Sequence, residues 1–157
     1  MEALEVYDLI KNIVKKSSNL KNKYTGEIDA KVNYACVFCK GENDYNEYIE
    51  ALKNDGNIII EDTSSGPLFK LKGVDTVAGK LMLFKVRRHD EKHQDLGDAD
   101  FTINDYESFK MKYKDHQNFK LIAGDGYEMI ELMEDGNDVR TYFSNPPLDE
   151  ELGIKSE

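Results

Sequence analysis

Eight polar or charged residues occupy positions on the predicted strands of this chain where they could form one binding or catalytic face. Successive side chains of a strand point to opposite faces of its sheet, so the apolar positions of a strand mark the buried face. The remaining positions mark the second face. The residues assigned to this second face are Asn33, Lys85, Arg87, Asp98, Asp100, Glu131, Arg140 and Tyr142.

These residue types suit the binding of a small anionic molecule and the transfer of a proton to or from it. Carboxyl groups that lie close together shift one another's pKa, which general acid-base catalysis requires. The predicted catalytic residues are Glu131, Asp98 and Asp100. The predicted ligand-binding residues, the first of them the anion anchor, are Arg140, Lys85, Arg87, Tyr142 and Asn33. The alternative is a solvated sheet face on which these charges form cross-strand ion pairs, each worth about 0.2–1 kcal/mol.

Cys36 and Cys39 form a C-x-x-C motif between a predicted strand and a predicted helix. In thiol redox proteins such a pair lies at a helix N-terminus, where the pKa of the first thiol is lowered. The alternative is a structural role, with one cysteine as a small apolar core residue and the other near the surface. Two cysteines in 157 residues are too few for a disulfide scaffold and fit a reducing compartment.

His89 and His93 have the spacing of a zinc-binding pair on a helix. The residues around them are polar and provide no apolar stripe that would anchor such a helix. We therefore predict a solvated linker here, and no metal ligand is assigned from the residues themselves.

The charge balance restricts the partners of the chain. Acidic residues number 31 and basic residues 21, which gives a formal net charge of −10. Binding to a phosphate backbone needs clustered Lys and Arg, and spanning a membrane needs a run of about 18 apolar residues, which is missing here. We expect a cytoplasmic protein that binds neither nucleic acid nor membrane, could bind a small molecule and could form a homodimer.

The elements that must position the candidate residues begin with a helix over residues 3–16, followed by a polar connector over residues 17–23. In the helix, apolar residues recur at helical spacing between an acidic start and a basic end. A strand then follows over residues 32–38, and a helix begins after the capping residue Asp44 and ends at Gly56. Three further strands are predicted at residues 57–61, 67–72 and 81–87.

The second half repeats the order of the first half after a linker over residues 89–97. A strand at residues 98–103 precedes a helix that Asp105 caps, and strands follow at residues 119–123, 127–133 and 139–143. The fold class is therefore α+β, with two β-α-β-β-β modules in a curved mixed sheet and an amphipathic N-terminal helix. The predicted division is residues 1–30 for the helix and linker, 31–147 for the paired modules (31–88 and 98–147), and 148–157 for a polar tail.

Two consecutive β-α-β-β-β units resemble the vicinal oxygen chelate superfamily of glyoxalases, bleomycin resistance proteins and extradiol dioxygenases. The string Asp135-Gly136-Asn137-Asp138-Val139-Arg140 resembles the family's Asp-Gly-Asn turn before the last strand of a module. The resemblance implies metal ligands at the first strand of each module, near Asn33 and Asp98, and a Glu at the place of Arg140. Arg cannot coordinate a cation and Asn is an uncommon ligand, so we expect no metal cofactor of the usual kind, although a divalent ion held by acidic ligands is possible.

The leading functional hypothesis is a glyoxalase-like protein that binds a small molecule, such as an anionic metabolite, or acts as a non-standard lyase or isomerase. Two alternatives come from other classes. The first is a non-enzymatic protein that self-associates through its N-terminal helix and acidic surface, and the second is a thiol redox protein that uses Cys36 and Cys39.

Overall fold

The computed structural model describes residues 1–154 and contains four helices and eight strands in this part of the chain. The last three residues of the predicted polar tail lie outside the described residues. The helices are α1 (Ala3–Tyr24), α2 (Glu42–Asn54), α3 (Tyr106–Tyr113) and α4 (Leu148–Glu151). The strands are β1 (Lys31–Phe38), β2 (Ile58–Thr63), β3 (Gly66–Thr76), β4 (Gly79–Arg87), β5 (Gly97–Thr102), β6 (Phe119–Gly124), β7 (Tyr127–Leu132) and β8 (Val139–Asn145).

All eight strands form one mixed, unclosed sheet in the order β2-β3-β4-β1-β5-β8-β7-β6. Within each half the first and last strands are parallel, β1 with β4 and β5 with β8. The antiparallel pairing of β1 with β5 joins the two halves. The predicted fold class, two β-α-β-β-β modules behind an N-terminal helix, is confirmed.

The hydrophobic core lies on the sheet face that α1, α2 and α3 cover. Val6, Ile10 and Ile13 of α1 are fully buried in it, together with Phe101 of β5 and Phe143 of β8. The apolar stripe of α1 therefore packs inside the chain, and self-association through this helix and the acidic surface stays a prediction from the sequence. No helix in the described part of the chain is long and apolar enough to cross a membrane.

Helix α1 is eight residues longer than the periodicity predicts, because its second half buries polar side chains. The predicted connector at residues 17–23 is helical, and Ser17, Ser18 and Lys21 are buried in it. The Ser17 hydroxyl donates to the Arg140 carbonyl at 2.9 Å, and the Thr141 hydroxyl donates to the Ser17 carbonyl at 2.8 Å. The predicted connector is therefore wrong. The polar residues of this segment continue the helix and can be buried because groups on β8 satisfy their hydrogen bonds.

Lys21 is fully buried and fastens the end of α1 to the loop that precedes β1. Its ammonium group donates to Asn22 Oδ1 at 2.7 Å, to the Ile28 carbonyl at 3.3 Å and to the Glu27 carbonyl. The same nitrogen lies 5.2 Å from the centroid of the Phe101 ring. Burial lowers the pKa of this amine, so the hydrogen bonds and the ring offset the cost of desolvating the charge.

Replacing Lys21 with Met is expected to destabilise the protein by about 1–3 kcal/mol, because two carbonyl groups of the loop lose their donor. Urea unfolding followed by circular dichroism measures the loss. The matched control is Lys15→Met on the exposed side of the same helix, which is expected to change stability by less than about 0.5 kcal/mol. Equal effects of the two substitutions would contradict a role of Lys21 in holding the loop.

Candidate functional site

The candidate site lies at the seam where β1 and β5 join the two halves of the sheet. In this seam Cys36 is opposite Asp98, and Tyr34 is opposite Asp100. On the other side of β5, Asp98 is opposite Arg140 and Asp100 is opposite Tyr142. These residues lie on the sheet face opposite the core, which we call the cavity face.

A cavity of about 190 Å³ opens on the cavity face above the seam. Strands β1, β4, β5, β6, β7 and β8 all contribute to its wall. The lining residues are Tyr34, Cys36, Arg87, Asp98, Asp100, Ile122, Met129 and Tyr142. Four of the eight residues assigned to this face from the sequence are therefore together in one cavity: Arg87, Asp98, Asp100 and Tyr142.

A bulge in β1 explains why the sequence prediction placed Asn33 in the site and missed Tyr34 and Cys36. The register between β1 and β5 shifts between Val32 and Tyr34. Asn33 is buried and donates to Asp100 Oδ1 at 3.3 Å and to Thr102 Oγ1 at 3.1 Å, so it does not line the cavity but holds the Asp100 side chain that does. The sequence does carry one indication of this arrangement. Ala35 and Val37 are apolar and belong to the core, so Tyr34 and Cys36, which alternate with them along the strand, point toward the other face.

Asp100 is a buried carboxyl group with several donors. Its oxygens accept from the Ser144 amide at 3.1 Å, from the Ser144 hydroxyl and from the Asn33 side chain. Burial still raises its pKa to about 6, because desolvation outweighs these hydrogen bonds. The donors hold Asp100 in one orientation and bind both of its oxygens.

Asp98 is as deeply buried as Asp100 but has fewer hydrogen bonds to offset the desolvation of its carboxyl group. Its side chain accepts a hydrogen bond from the Cys36 thiol, and no ion pair to it occurs within residues 1–154. Burial raises its pKa to about 7, although the thiol and the positive charge of Arg87 act in the opposite direction. Asp98 can therefore gain and lose a proton near neutral pH, as a general acid or base must.

Arg87 supplies the positive charge of the cavity. Its guanidinium carbon lies 4.8 Å from the centroid of the Phe38 ring, and within the described residues it takes part in no ion pair. The Phe38 ring also stacks on the His93 ring, with 4.5 Å between the ring centroids and 8° between the ring planes. Lys85 is opposite Cys36 on β4 but does not line the cavity.

Arg140 and Glu131 bind each other outside the cavity instead of facing a ligand. Arg140 Nη1 lies 3.2 Å from Glu131 Oε2, and Arg140 Nε lies 3.3 Å from Asp95 Oδ2. The Tyr142 hydroxyl donates to the same Glu131 oxygen at 2.6 Å. This arrangement orients Tyr142 at the cavity wall and leaves Arg140 neutralised by two carboxylates.

The two cysteines lie in different environments, and neither thiol is activated. Cys36 lines the cavity, whereas Cys39 is part of the core on the opposite face of the sheet. Burial raises the pKa of Cys36 well above its usual range and that of Cys39 to about 12. A redox function requires a lowered thiol pKa, so these environments do not favour it.

The predicted architecture is supported by the similarity of the structure to one solved protein. It resembles the crystal structure of a glyoxalase/bleomycin resistance protein/dioxygenase superfamily member from Vibrio splendidus 12B01, with 10% identity and a TM-score of 0.51 over 73% of this chain and 97% of that chain. A second similar chain is an integron cassette protein from the mobile metagenome of Halifax Harbour sewage outfall, with 11% identity and a TM-score of 0.28 over 72% of this chain and 96% of that chain. No protein-family model matches the sequence, and no curated protein is similar to it in sequence. The first likeness concerns the fold alone, and it confirms the predicted vicinal oxygen chelate architecture.

The residues at the ligand places of this architecture do not fit a bound metal ion. The sequence places Asn33, Asp98 and Arg140 there, and the structure uses Asn33 as a donor to Asp100 and Arg140 as a partner of Glu131. Within residues 1–154, no three His, Cys, Asp or Glu side chains lie close enough together to hold a metal. We therefore derive no chemical step through a metal at this site.

Replacing Asp98 with Asn is expected to raise the stability of the protein at pH 8, on the order of 1–3 kcal/mol. The folded state binds the Asp98 proton up to a pH of about 7, whereas the unfolded chain releases it near 3.8. The wild-type protein therefore loses stability as the pH rises through this window, and the gain of the variant must shrink as the pH falls toward 4. Urea unfolding at pH 8, 6 and 4.5 measures it.

The control for this experiment is Asp125→Asn at the exposed turn between β6 and β7. It is expected to leave stability nearly unchanged at every pH, since this side chain is exposed and its replacement disturbs no buried contact. If Asp98→Asn showed no gain at pH 8, or the same gain at every pH, the buried carboxyl would not be the titrating group.

Proposed function

We propose that the cavity binds a small molecule with a carboxylate or a similar anionic group, and that Asp98 exchanges a proton with this molecule. The observation that carries the proposal is the juxtaposition of Asp98, Cys36 and Arg87 in one cavity. A buried carboxyl that titrates near neutral pH, next to a positive charge without an ion-pair partner in the described chain, suits an anionic ligand.

Arg87 is the proposed anchor for the anionic group. A guanidinium presents parallel N–H donors that match a carboxylate in a bidentate arrangement. The guanidinium carbon lies 4.8 Å from the centroid of the Phe38 ring, a cation-π contact that helps to hold the group in place. This assignment moves the anion anchor from Arg140, which its own carboxylate partners occupy, to another arginine on the same face.

Asp98 is the proposed acid-base residue. In its protonated form it donates a hydrogen bond to the bound anion, and in its ionised form it can remove a proton from a carbon or oxygen atom of the ligand. The Tyr34 phenol, whose pKa burial raises well above 10.0, stays protonated and serves as a hydrogen-bond donor. Removal of a proton at one atom and its return at another describes an isomerase, and removal followed by loss of a leaving group describes a lyase.

The other residues selected from the sequence have supporting roles in this proposal. Glu131 and Arg140 position Tyr142, and Asn33 positions Asp100. Homodimer formation and a cytoplasmic location stay predictions from the sequence.

Replacing Arg87 with Gln is expected to weaken the binding of small carboxylates at least tenfold, because the ligand loses a charged bidentate partner. Two-dimensional amide NMR titrations of the wild-type protein with butyrate, lactate and pyruvate give the affinities. The matched control is Arg88→Gln, whose neighbouring guanidinium is exposed and pairs with Glu42 at 3.6 Å. Binding that is equal in both variants, or no shift of any amide near β4 and β5, would overturn the proposal.

The affinity for these carboxylates is also expected to rise about tenfold between pH 8 and pH 6, because the anion binds best when Asp98 carries its proton. The probes themselves stay ionised throughout this range. In Asp98→Asn, whose side chain cannot ionise, this pH dependence is expected to disappear. The same titrations repeated at three pH values test it, and a pH dependence that survives in the variant would assign the proton to another group.

A further inference from the structure

A second cavity of about 230 Å³ lies next to the first on the cavity face. The two share Tyr34, Asp100 and Met129 as common walls. Its remaining wall comes from the start of β7, the end of β8 and the short helix α4, and includes Tyr127, Pro146 and Leu148. A ligand that occupied both cavities would therefore contact Met129, with one end at the seam and the other near α4.

The second cavity offers mainly apolar contacts to such a molecule. Asp100 and Ser144, the polar residues at its inner end, already bind each other. The Tyr127 ring packs over Gly124, where a Cβ atom would lie only 2.3 Å from the ring. The absence of a side chain at Gly124 thus lets this ring form part of the apolar wall together with Pro146 and Leu148.

The charges around the second cavity are negative. Glu151 lines it on α4, and Asp149 is near enough to raise the pKa of Asp100. Within the described residues, no Lys, Arg or His lines this cavity. A second anionic group at the far end of a ligand would meet the Glu151 carboxylate and, among the described residues that line this cavity, no cation, so a dianion is disfavoured.

The geometry points to a substrate class: a monoanion whose acidic group binds Arg87 and Asp98 and whose apolar tail lies beneath α4 against Met129 and Leu148. This inference rests on the proposed function, since it assumes that the first cavity holds the acidic group. It adds the requirement for a tail and for a single negative charge.

A series of straight-chain carboxylates tests the inference. In the wild-type protein the affinity measured by amide NMR titration is expected to rise about fourfold for each added methylene group from acetate to hexanoate, as apolar surface is buried. In Leu148→Asn this increase is expected to flatten while the affinity for acetate stays unchanged. The matched control is Leu152→Asn, at an exposed position outside the cavity, which is expected to keep the full increase.

The outcomes separate the two proposals. If acetate binding depends on Arg87 but affinity does not rise with chain length, the proposed function stands and the tail site is overturned. If the affinity rises equally in Leu148→Asn, the tail binds elsewhere and the inference is also overturned. If glutarate, a dianion, binds as tightly as pentanoate, the single-charge requirement is wrong. If no carboxylate binds, both proposals fail.

Discussion

The pairing of β1 with β5 is the constraint on which the candidate site depends. It joins two half-sheets into one and places Cys36 against Asp98 and Tyr34 against Asp100. Gly97 permits this close approach, because a Cβ atom at that position would lie 2.2 Å from the Cys36 carbonyl oxygen. Residues that are about sixty positions apart in the sequence therefore become neighbours through backbone hydrogen bonds, independently of any attraction between their side chains.

The two buried carboxyl groups at this seam differ in how many hydrogen bonds they accept, and this difference gives them different roles. Asp100 receives hydrogen bonds from Ser144 and Asn33, so it holds the end of β8 in place. Asp98 has the Cys36 thiol, a weak donor, as its hydrogen-bond partner. A buried carboxyl with so little compensation costs folding free energy. Such a cost is typical of functional sites, where proteins keep residues that lower the stability of the folded state.

The strand pattern was sufficient to predict the fold and half of the cavity residues, because polar and apolar residues alternate along the relevant parts of β4, β5 and β8. It identified Arg87, Asp98, Asp100 and Tyr142. It could not reveal the bulge before Tyr34, which changes the alternation by one residue. The strand pattern also could not predict the ion pairs of Arg140, since Asp95 lies on a loop whose path depends on the tertiary structure. The polar end of α1 was misassigned for the same reason: its partners are on a strand more than a hundred residues away.

The two arginines of the cavity face differ in their ion pairs, and this difference decides which of them is proposed to bind an anion. Arg140 is neutralised by Asp95 and Glu131, whereas Arg87 has no ion pair within residues 1–154. The net charge of −10 repels anions at distances up to the Debye length, about 8 Å at physiological salt. Inside the cavity, the positive charge of Arg87 and the protonation of Asp98 are proposed to offset this repulsion and so to allow an anion to bind. Under the proposal, each further negative charge on a ligand would increase the repulsion from the chain, and within the described residues no Lys, Arg or His lines the second cavity to compensate it, which favours a singly charged ligand.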